Sequence, residues 1–329
     1  ENARSDVASS RRSQVATARV VGVTIASASN ASLEGQRFRI VVLDEASQMI
    51  EPQSMLPIVR FGAERVLAAG DPMQLPPILK VLPPASDHNG GLSRTLFSRL
   101  AKIGAVPTLL ACTYRCHPAL LRVPNVLFYG RRLRCGAAAD DRSALIEGLE
   151  PSTFVDVPPS RPSGRQEQFN SSPAEADTAA FLLKRMVEAG LNPEQLGVIC
   201  IFRAQVNLVR RALDALGGDV AGVDVSTVDA FQGQEREIIL VSVGRSDGDL
   251  KFVEAPERLN VTITRARRHL IVLGRADKLR RSKLYREILE SSEVISADDA
   301  TAMFEHVSLT AAARESQQND SEDEHEEVR

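Results

Sequence analysis

Ile40-Val41-Val42-Leu43-Asp44-Glu45 decides the fold: four branched aliphatic residues in a row, then two carboxylates. A short aliphatic run bounded by polar residues reads as a buried strand. Its acids then stand at the carboxyl end, the edge at which open α/β sheets bind ligands. Asp44 suits a magnesium ion there, directly or through water, because hard cations take carboxylate oxygen and bridge to phosphate. Glu45 beside it suits polarisation of an attacking water. Taken alone, the pair also reads as a helix N-cap following a strand.

A second apolar run, 65–69, ends in the same way, in Gly70-Asp71-Pro72-Met73-Gln74-Leu75-Pro76-Pro77. Gly70 lets the backbone turn and the prolines stiffen the loop. Gln74 presents an uncharged amide that can touch a phosphate oxygen and a water together. A proline-rich turn is the plainer reading. It weakens because Asp44 and Asp71 lie 27 residues apart, as the ends of neighbouring strands in one domain would.

Outward from these two runs, β-branched segments alternate with helical patterns, which predicts an α/β fold with parallel sheets covered by helices. Strands are expected at 20–25, 40–43, 65–69, 108–111, 197–201, 238–243 and 269–273. One helix starts at the cap Ser172, with Pro173 in its first position, and runs to Gly190. The next puts Val206, Val209, Leu213 and Leu216 on one face and stops at Gly217-Gly218. Residues 130–172 gather Arg, Ser, Pro and Gly and read as a connection in which only 152–157 is strand-like. The length of 329 residues suffices for two domains, each with its own core.

Net charge is −3, yet residues 315–329 hold seven acids against one base. The remainder carries 39 basic and 36 acidic residues, a body of +3. A mildly basic body permits nucleic acid as partner, and the acidic tail, disordered by composition, could serve protein partners. Aliphatic runs such as Ile238-Ile239-Leu240-Val241 are too short to span a bilayer, so no membrane is expected. Residues 1–12 do not read as a signal peptide. Four cysteines fit a reducing interior, and Cys112, Cys116 and His117 lack the second close pair that structural zinc needs. The expected setting is intracellular, the nucleus ahead of the cytoplasm.

Asp44-Glu45-Ala46-Ser47-Gln48 resembles motif II of superfamily 1 helicases, and 70–77 resembles motif III. Tyr114-Arg115-Cys116-His117-Pro118 resembles a motif of the up-frameshift-like branch. Residues 226–235 (Ser-Thr-Val-Asp-Ala-Phe-Gln-Gly-Gln-Glu) resemble motif V, and 258–267 (Arg-Leu-Asn-Val-Thr-Ile-Thr-Arg-Ala-Arg) motif VI. Gly22-Val23-Thr24 resembles the nucleic-acid-contacting motif Ic. The motifs stand in the family's order and cover residues 20 to about 275. Within the branch, the wording of 22–24, 44–57 and 114–118 is similar to that of DNA helicases carrying a GRF-type zinc finger.

The resemblance implies two RecA-like P-loop NTPase domains, with ATP and Mg2+ in the cleft between them and 5′-3′ movement on single-stranded DNA or RNA. Asp44, Glu45, Gln74, Arg115 and Arg265 would be catalytic, the two arginines on the γ-phosphate, where a planar guanidinium holds two oxygens at once. Tyr114 would stack on adenine, and Gln205, Gly233 and Glu235 would line the nucleotide site. Thr24, Ser226 and Thr227 would hold the nucleic-acid backbone without reading its sequence. For each threonine alone, a strand-end cap is the commoner role.

The family's motif I, a glycine-rich loop ending in Gly-Lys-Ser/Thr, has no counterpart before Asp44. Residues 1–43 contain only Gly22 and Gly35 and no lysine. The expectation is therefore a first domain incomplete at its N-terminus, with the missing N-terminal region of the same protein as a partner. The alternative is an inactive remnant that binds nucleic acid or a partner without hydrolysis. The expected division is 1–106 for the first domain, 107–306 for the second and 307–329 for a disordered acidic tail.

Overall fold

The computed structural model describes residues 13–79, 91–159, 170–217, 220–244 and 250–314. The chain divides into two compact units, Glu1–Leu109 and Leu110–Arg329. Among the described residues, no helix is long and apolar enough to cross a membrane.

In the first unit, strand β1 (Ile40–Leu43) pairs in parallel with β2 (Arg65–Ala68), from Ile40 opposite Arg65 to Leu43 opposite Ala68. The helix Glu51–Arg60 makes the crossover between them. Val41 and Leu43 are buried with Ala46 and Leu96, and Met55, Ile58 and Ala68 pack against that cluster. Ile40 and Val42 point the other way and are 62% and 60% exposed. The strand therefore has one covered face among the described residues. The strand expected at 20–25 does not form. Thr24 instead caps a 3-10 helix, Ile25–Ser29, by accepting from the Ser27 amide at 3.3 Å. Threonine, serine and asparagine side chains here offer the backbone local partners that compete with a sheet ladder.

The second unit holds a six-stranded parallel sheet. Its strands are β5 (Ser152–Asp156), β6 (Leu196–Cys200), β7 (Asp224–Thr227), β8 (Arg236–Ser242), β9 (Ala266–Gly274) and β10 (Glu293–Ser296), in the order β10-β5-β9-β8-β6-β7. The helices Pro173–Glu188, Arg203–Leu216 and Ala297–Glu305 pack together over one face, around Val198, Leu240, Ile271 and Leu182. On the other face Leu120, Val123, Ile263 and Ile288 meet Leu270. Both faces are covered, which is why β6 is buried at all five positions. A short parallel pair, β3 (Cys112–Thr113) with β4 (Arg134–Cys135), stands outside this sheet. The pairing expected at 108–111 falls on β3 instead.

The helix expected from Ser172 to Gly190 spans Pro173–Glu188, with Ser172 accepting from the Glu175 amide at 3.3 Å. The next spans Arg203–Leu216 and stops at Gly217. Within the segment read as a connection, the strand-like stretch 152–157 forms β5, an interior strand with Phe154 fully enclosed. The tail also begins later than expected. Leu309 bridges Ile146, the Thr310 amide donates to Leu145 at 3.0 Å, and Leu309 and Ala313 join the core. Residues 307–314 thus belong to the body, while 315–329 lie outside the described residues.

Two enclosed ionisable groups tie this unit together. The His269 ring takes the Leu145 amide on Nε2 at 3.0 Å and faces the Glu150 carbonyl through Nδ1 at 3.1 Å. Burial pulls its pKa down to about 4. Glu175 accepts from the Ser242 hydroxyl at 2.7 Å and the Gly244 amide at 2.8 Å, and burial pushes its pKa up to about 7.

Candidate nucleotide and nucleic-acid sites

In the first unit, parallel pairing of β1 and β2 brings their two acid-ended turns side by side. The Ala69 amide donates to Leu43 at 2.8 Å, and the Ala46 amide donates back to Ala69 at 2.7 Å. Gly70 makes this approach possible: a Cβ there would fall 2.7 Å from the Ser47 nitrogen. The Asp71 amide then donates to the Ser47 hydroxyl at 3.1 Å. Asp71 in turn accepts from the Met73 amide and the Gln74 side chain, both at 2.9 Å, which fixes the direction of Gln74.

Glu45 takes a left-handed backbone conformation, φ 52°, rare for a residue with a Cβ. Such a conformation costs about 1–3 kcal/mol and persists where its surroundings enforce it. Its amide donates to Asp44 Oδ1 at 3.0 Å, and Gln48 Nε2 donates to its carboxylate at 2.7 Å. Asp44 is exposed and Glu45 half-buried. An exposed carboxylate of this kind fits magnesium, which takes one or two protein oxygens and completes its shell with water and phosphate. Among the described residues, no group of three or more histidines, cysteines or acids could hold a metal.

The second unit gathers its charged candidates at the amino ends of β8 and β9. Arg115 donates through Nε to Glu235 and through Nη1 to the Thr264 carbonyl at 3.0 Å. Arg267 stands 3.8 Å from Glu235 and pairs with Glu237 at 2.8 Å. Arg142 donates to the carbonyls of Arg115 at 2.8 Å and Tyr114 at 3.0 Å, holding that dipeptide by its backbone. Tyr114 is 67% exposed, with its ring against Gly136, where a Cβ would strike it at 2.3 Å. A hydrogen bond with Cys112, and that thiol's charge, raise the phenol's pKa. Gly233 makes an open turn of positive φ two residues before Glu235.

Two expected roles do not match these positions. Gln205 is fully enclosed beyond the carboxyl end of β6, the edge opposite Arg115 and Glu235. Its amide holds both the N–H and the C=O of Ser172, at 2.8 and 3.0 Å. Arg265 is only 3% exposed, and donates to the Val261 carbonyl at 3.1 Å and the Thr264 hydroxyl at 3.0 Å. In this conformation Arg115, not Arg265, is the half-open arginine. Of the nucleic-acid candidates, Thr227 ends β7 half-buried, the Ser226 hydroxyl is enclosed with no hydrogen-bond partner among the described residues, and Thr24 is an exposed cap. Sequence reading missed Arg142 and Gly136, which lie in the stretch taken for a connection and carry no motif.

Two family models, both described as AAA domain, match this chain, one over residues 92–277 and the other over residues 1–81. The first alone covers more than half of the chain. The chain belongs to the AAA-domain family of superfamily 1 helicases. Among curated AAA-domain relatives, it is 39% identical to the 5′-3′ DNA helicase ZGRF1 of Mus musculus over 278 residues, 84% of this chain and 15% of that protein. It is 33% identical to regulator of nonsense transcripts 1 of Caenorhabditis elegans over 295 residues, 84% of this chain and 26% of that protein. It is also 33% identical to helicase SEN1 of Saccharomyces cerevisiae over 277 residues, 79% of this chain and 12% of that protein. The chain thus spans about a quarter or less of the length of these helicase relatives. Each of its two units is built on parallel strands, as the α/β reading of the sequence expects.

Proposed function

We propose that this chain supplies the ATP-hydrolysing and strand-gripping residues of a helicase that moves 5′ to 3′ on single-stranded nucleic acid, DNA ahead of RNA. The observation that carries the reading is the fastening of two acid-ended strands in the first unit, which sets Asp44, Glu45 and Gln74 on neighbouring turns. Asp44 would hold magnesium, which bridges phosphate oxygens and offsets charge gathering on them. Glu45 would orient and deprotonate the attacking water, with Gln48 fixing its carboxylate. Gln74 would report the γ-phosphate. In the second unit Arg115 would neutralise charge on the departing phosphoryl group, and Tyr114 would stack on the base. The name of the mouse relative supports both the polarity and DNA.

Residues 1–43 contain no Gly-Lys-Ser/Thr loop of the kind that cradles phosphates. Duplexes with a 5′ or a 3′ single-stranded tail, in DNA and in RNA, test the main reading on residues 1–329 joined to a segment carrying such a loop. Displacement from the 5′-tailed DNA duplex is expected. Displacement only from 3′-tailed duplexes would overturn the polarity, and displacement only from RNA would overturn the substrate.

A further inference from the structure

Four basic side chains at the start of the helix Lys283–Glu290 have no role in the sites above. Arg280, Arg281, Lys283 and Arg286 are all exposed. None of the four makes an ion pair among the described residues, whereas their neighbours Arg275 and Lys278 both pair with Asp277, at 3.0 and 3.9 Å. Arg286 wraps the turn, donating from Nε and Nη2 to the Arg280 carbonyl at 3.2 Å. The helix gains nothing from this charge, because a helix start favours acids and repels cations. Ser282 already caps it, through the Tyr285 amide at 3.4 Å. A cluster of like charges set against its own helix is a local conflict, of the kind proteins keep at functional surfaces.

Its place in the fold indicates the occupant. The cluster follows the carboxyl end of β9, and Thr227 ends β7 at the same edge, three strands along in the order β9-β8-β6-β7. At sheet spacing the ends of β9 and β7 are about 14 Å apart. Between them, beyond β6, Phe202 stacks on Phe252 with ring centroids 5.1 Å and planes 24° apart. The Arg258 guanidinium lies 4.2 Å over Phe252. Hydroxyl, aromatic stack and bunched cations along one edge are the components of a sequence-tolerant single-strand track. An acidic peptide would use the cations but not the rings. Arg115, Glu235 and Arg265 lie at the opposite edge.

We propose that Arg280, Arg281, Lys283 and Arg286 are a phosphate-backbone clamp that extends the single-strand track beyond Thr227 along the carboxyl edge of this sheet. The clamp rests on the nucleic-acid reading above and adds a surface outside residues 226–235 and 258–267. It grips charge and reads no bases.

The test is binding of a labelled mixed-sequence single strand by residues 1–329 across a salt series, for wild type, Thr227→Ala and the triple variant Arg280→Ala/Arg281→Ala/Lys283→Ala. Arg286 is spared because it holds the turn. Each lost phosphate contact removes about 0.7 from the slope of log affinity against log salt, so the triple variant should lose about 2. Its affinity near 0.1 M salt should fall at least about tenfold. Thr227→Ala should weaken binding with the wild-type slope, since a neutral hydroxyl releases no counterion. Binding by wild type, weakened by Thr227→Ala, with a triple variant of wild-type slope and affinity, overturns the clamp alone. No binding by wild type overturns the nucleic-acid reading and the clamp with it.

Discussion

Arg115 is tied to Glu235, a residue 120 positions later in the chain, and the Thr264 carbonyl takes another of its guanidinium donors at 3.0 Å. The guanidinium proposed for the γ-phosphate is therefore also the partner of a carboxylate. Side chains of both residues are about a third exposed, so the pair is screened and worth little by itself. In the proposed site a phosphate, with more charge, would displace the carboxylate, and Glu235 would then take up hydroxyls of the sugar.

Glu235→Gln should therefore separate phosphate from sugar recognition. Affinity for inorganic tripolyphosphate should rise a few-fold, because Arg115 no longer has a charged rival. The advantage of ATP over tripolyphosphate should shrink, because the sugar loses its carboxylate. Calorimetric titration with both ligands measures the two effects. An unchanged ratio between them would remove Glu235 from the nucleotide site.

Arg265 carries a different expectation from Arg115. Its guanidinium is enclosed and donates to its own helix end, so Arg265→Ala removes charge-assisted bonds worth about 1.5–3 kcal/mol each. The melting temperature should fall by several degrees in Arg265→Ala and stay close to wild type in Arg115→Ala. With a phosphate loop supplied in front of the chain, Arg115→Ala should lower turnover by roughly a thousandfold. If Arg265→Ala melts like wild type yet abolishes turnover, Arg265 turns outward to the phosphate, as the family resemblance implied.

Glu175 and His269 give stability an unusual pH dependence, because burial shifts them in opposite directions. Glu175, raised from 4.5 to about 7, keeps in the folded state a proton that the unfolded chain releases. Its contribution is present below pH 4.5 and is lost as pH rises to about 7. His269, lowered from 6.5 to about 4, refuses a proton that the unfolded chain accepts. Its contribution is present above pH 6.5 and is lost as pH falls to about 4. Where the windows overlap the two slopes oppose, and stability between about pH 5 and 6.5 should be nearly flat. Glu175→Gln should unmask the histidine, so that denaturant midpoints rise with pH across this interval. A flat profile in that variant would contradict the account of His269.

The parts of this molecule legible in its sequence are those where local chemistry and tertiary position coincide. Ile40–Leu43 and Arg65–Ala68 are aliphatic runs stopped by acids, and the acids stand where a parallel pair must put them. The helix Pro173–Glu188 carries its own start signal in Ser172-Pro173. Less visible were β7 and β10, where Asp-Val-Ser-Thr and Glu-Val-Ile-Ser are half polar because they lie at sheet edges. Gln205 misled for another reason: an amide after a strand looks the same whether it faces a ligand or ties down Ser172. Nor does the sequence announce that Arg115 and Glu235 meet at the amino edge while Thr227 ends at the carboxyl edge. That follows from the strand order, which no local pattern encodes.

The acid-ended strands of the first unit are the proposed hydrolytic centre, with Glu45 acting on water. The most direct measurement is single-strand-stimulated phosphate release from residues 1–329 joined to a Gly-Lys-Ser/Thr loop segment, with and without Glu45→Gln. The variant keeps the shape of the side chain and removes the base, so nucleotide should still bind while release falls by two to four orders of magnitude, about the worth of one general base. Phosphate release by Glu45→Gln at the wild-type rate, with nucleotide bound equally well, would contradict the account.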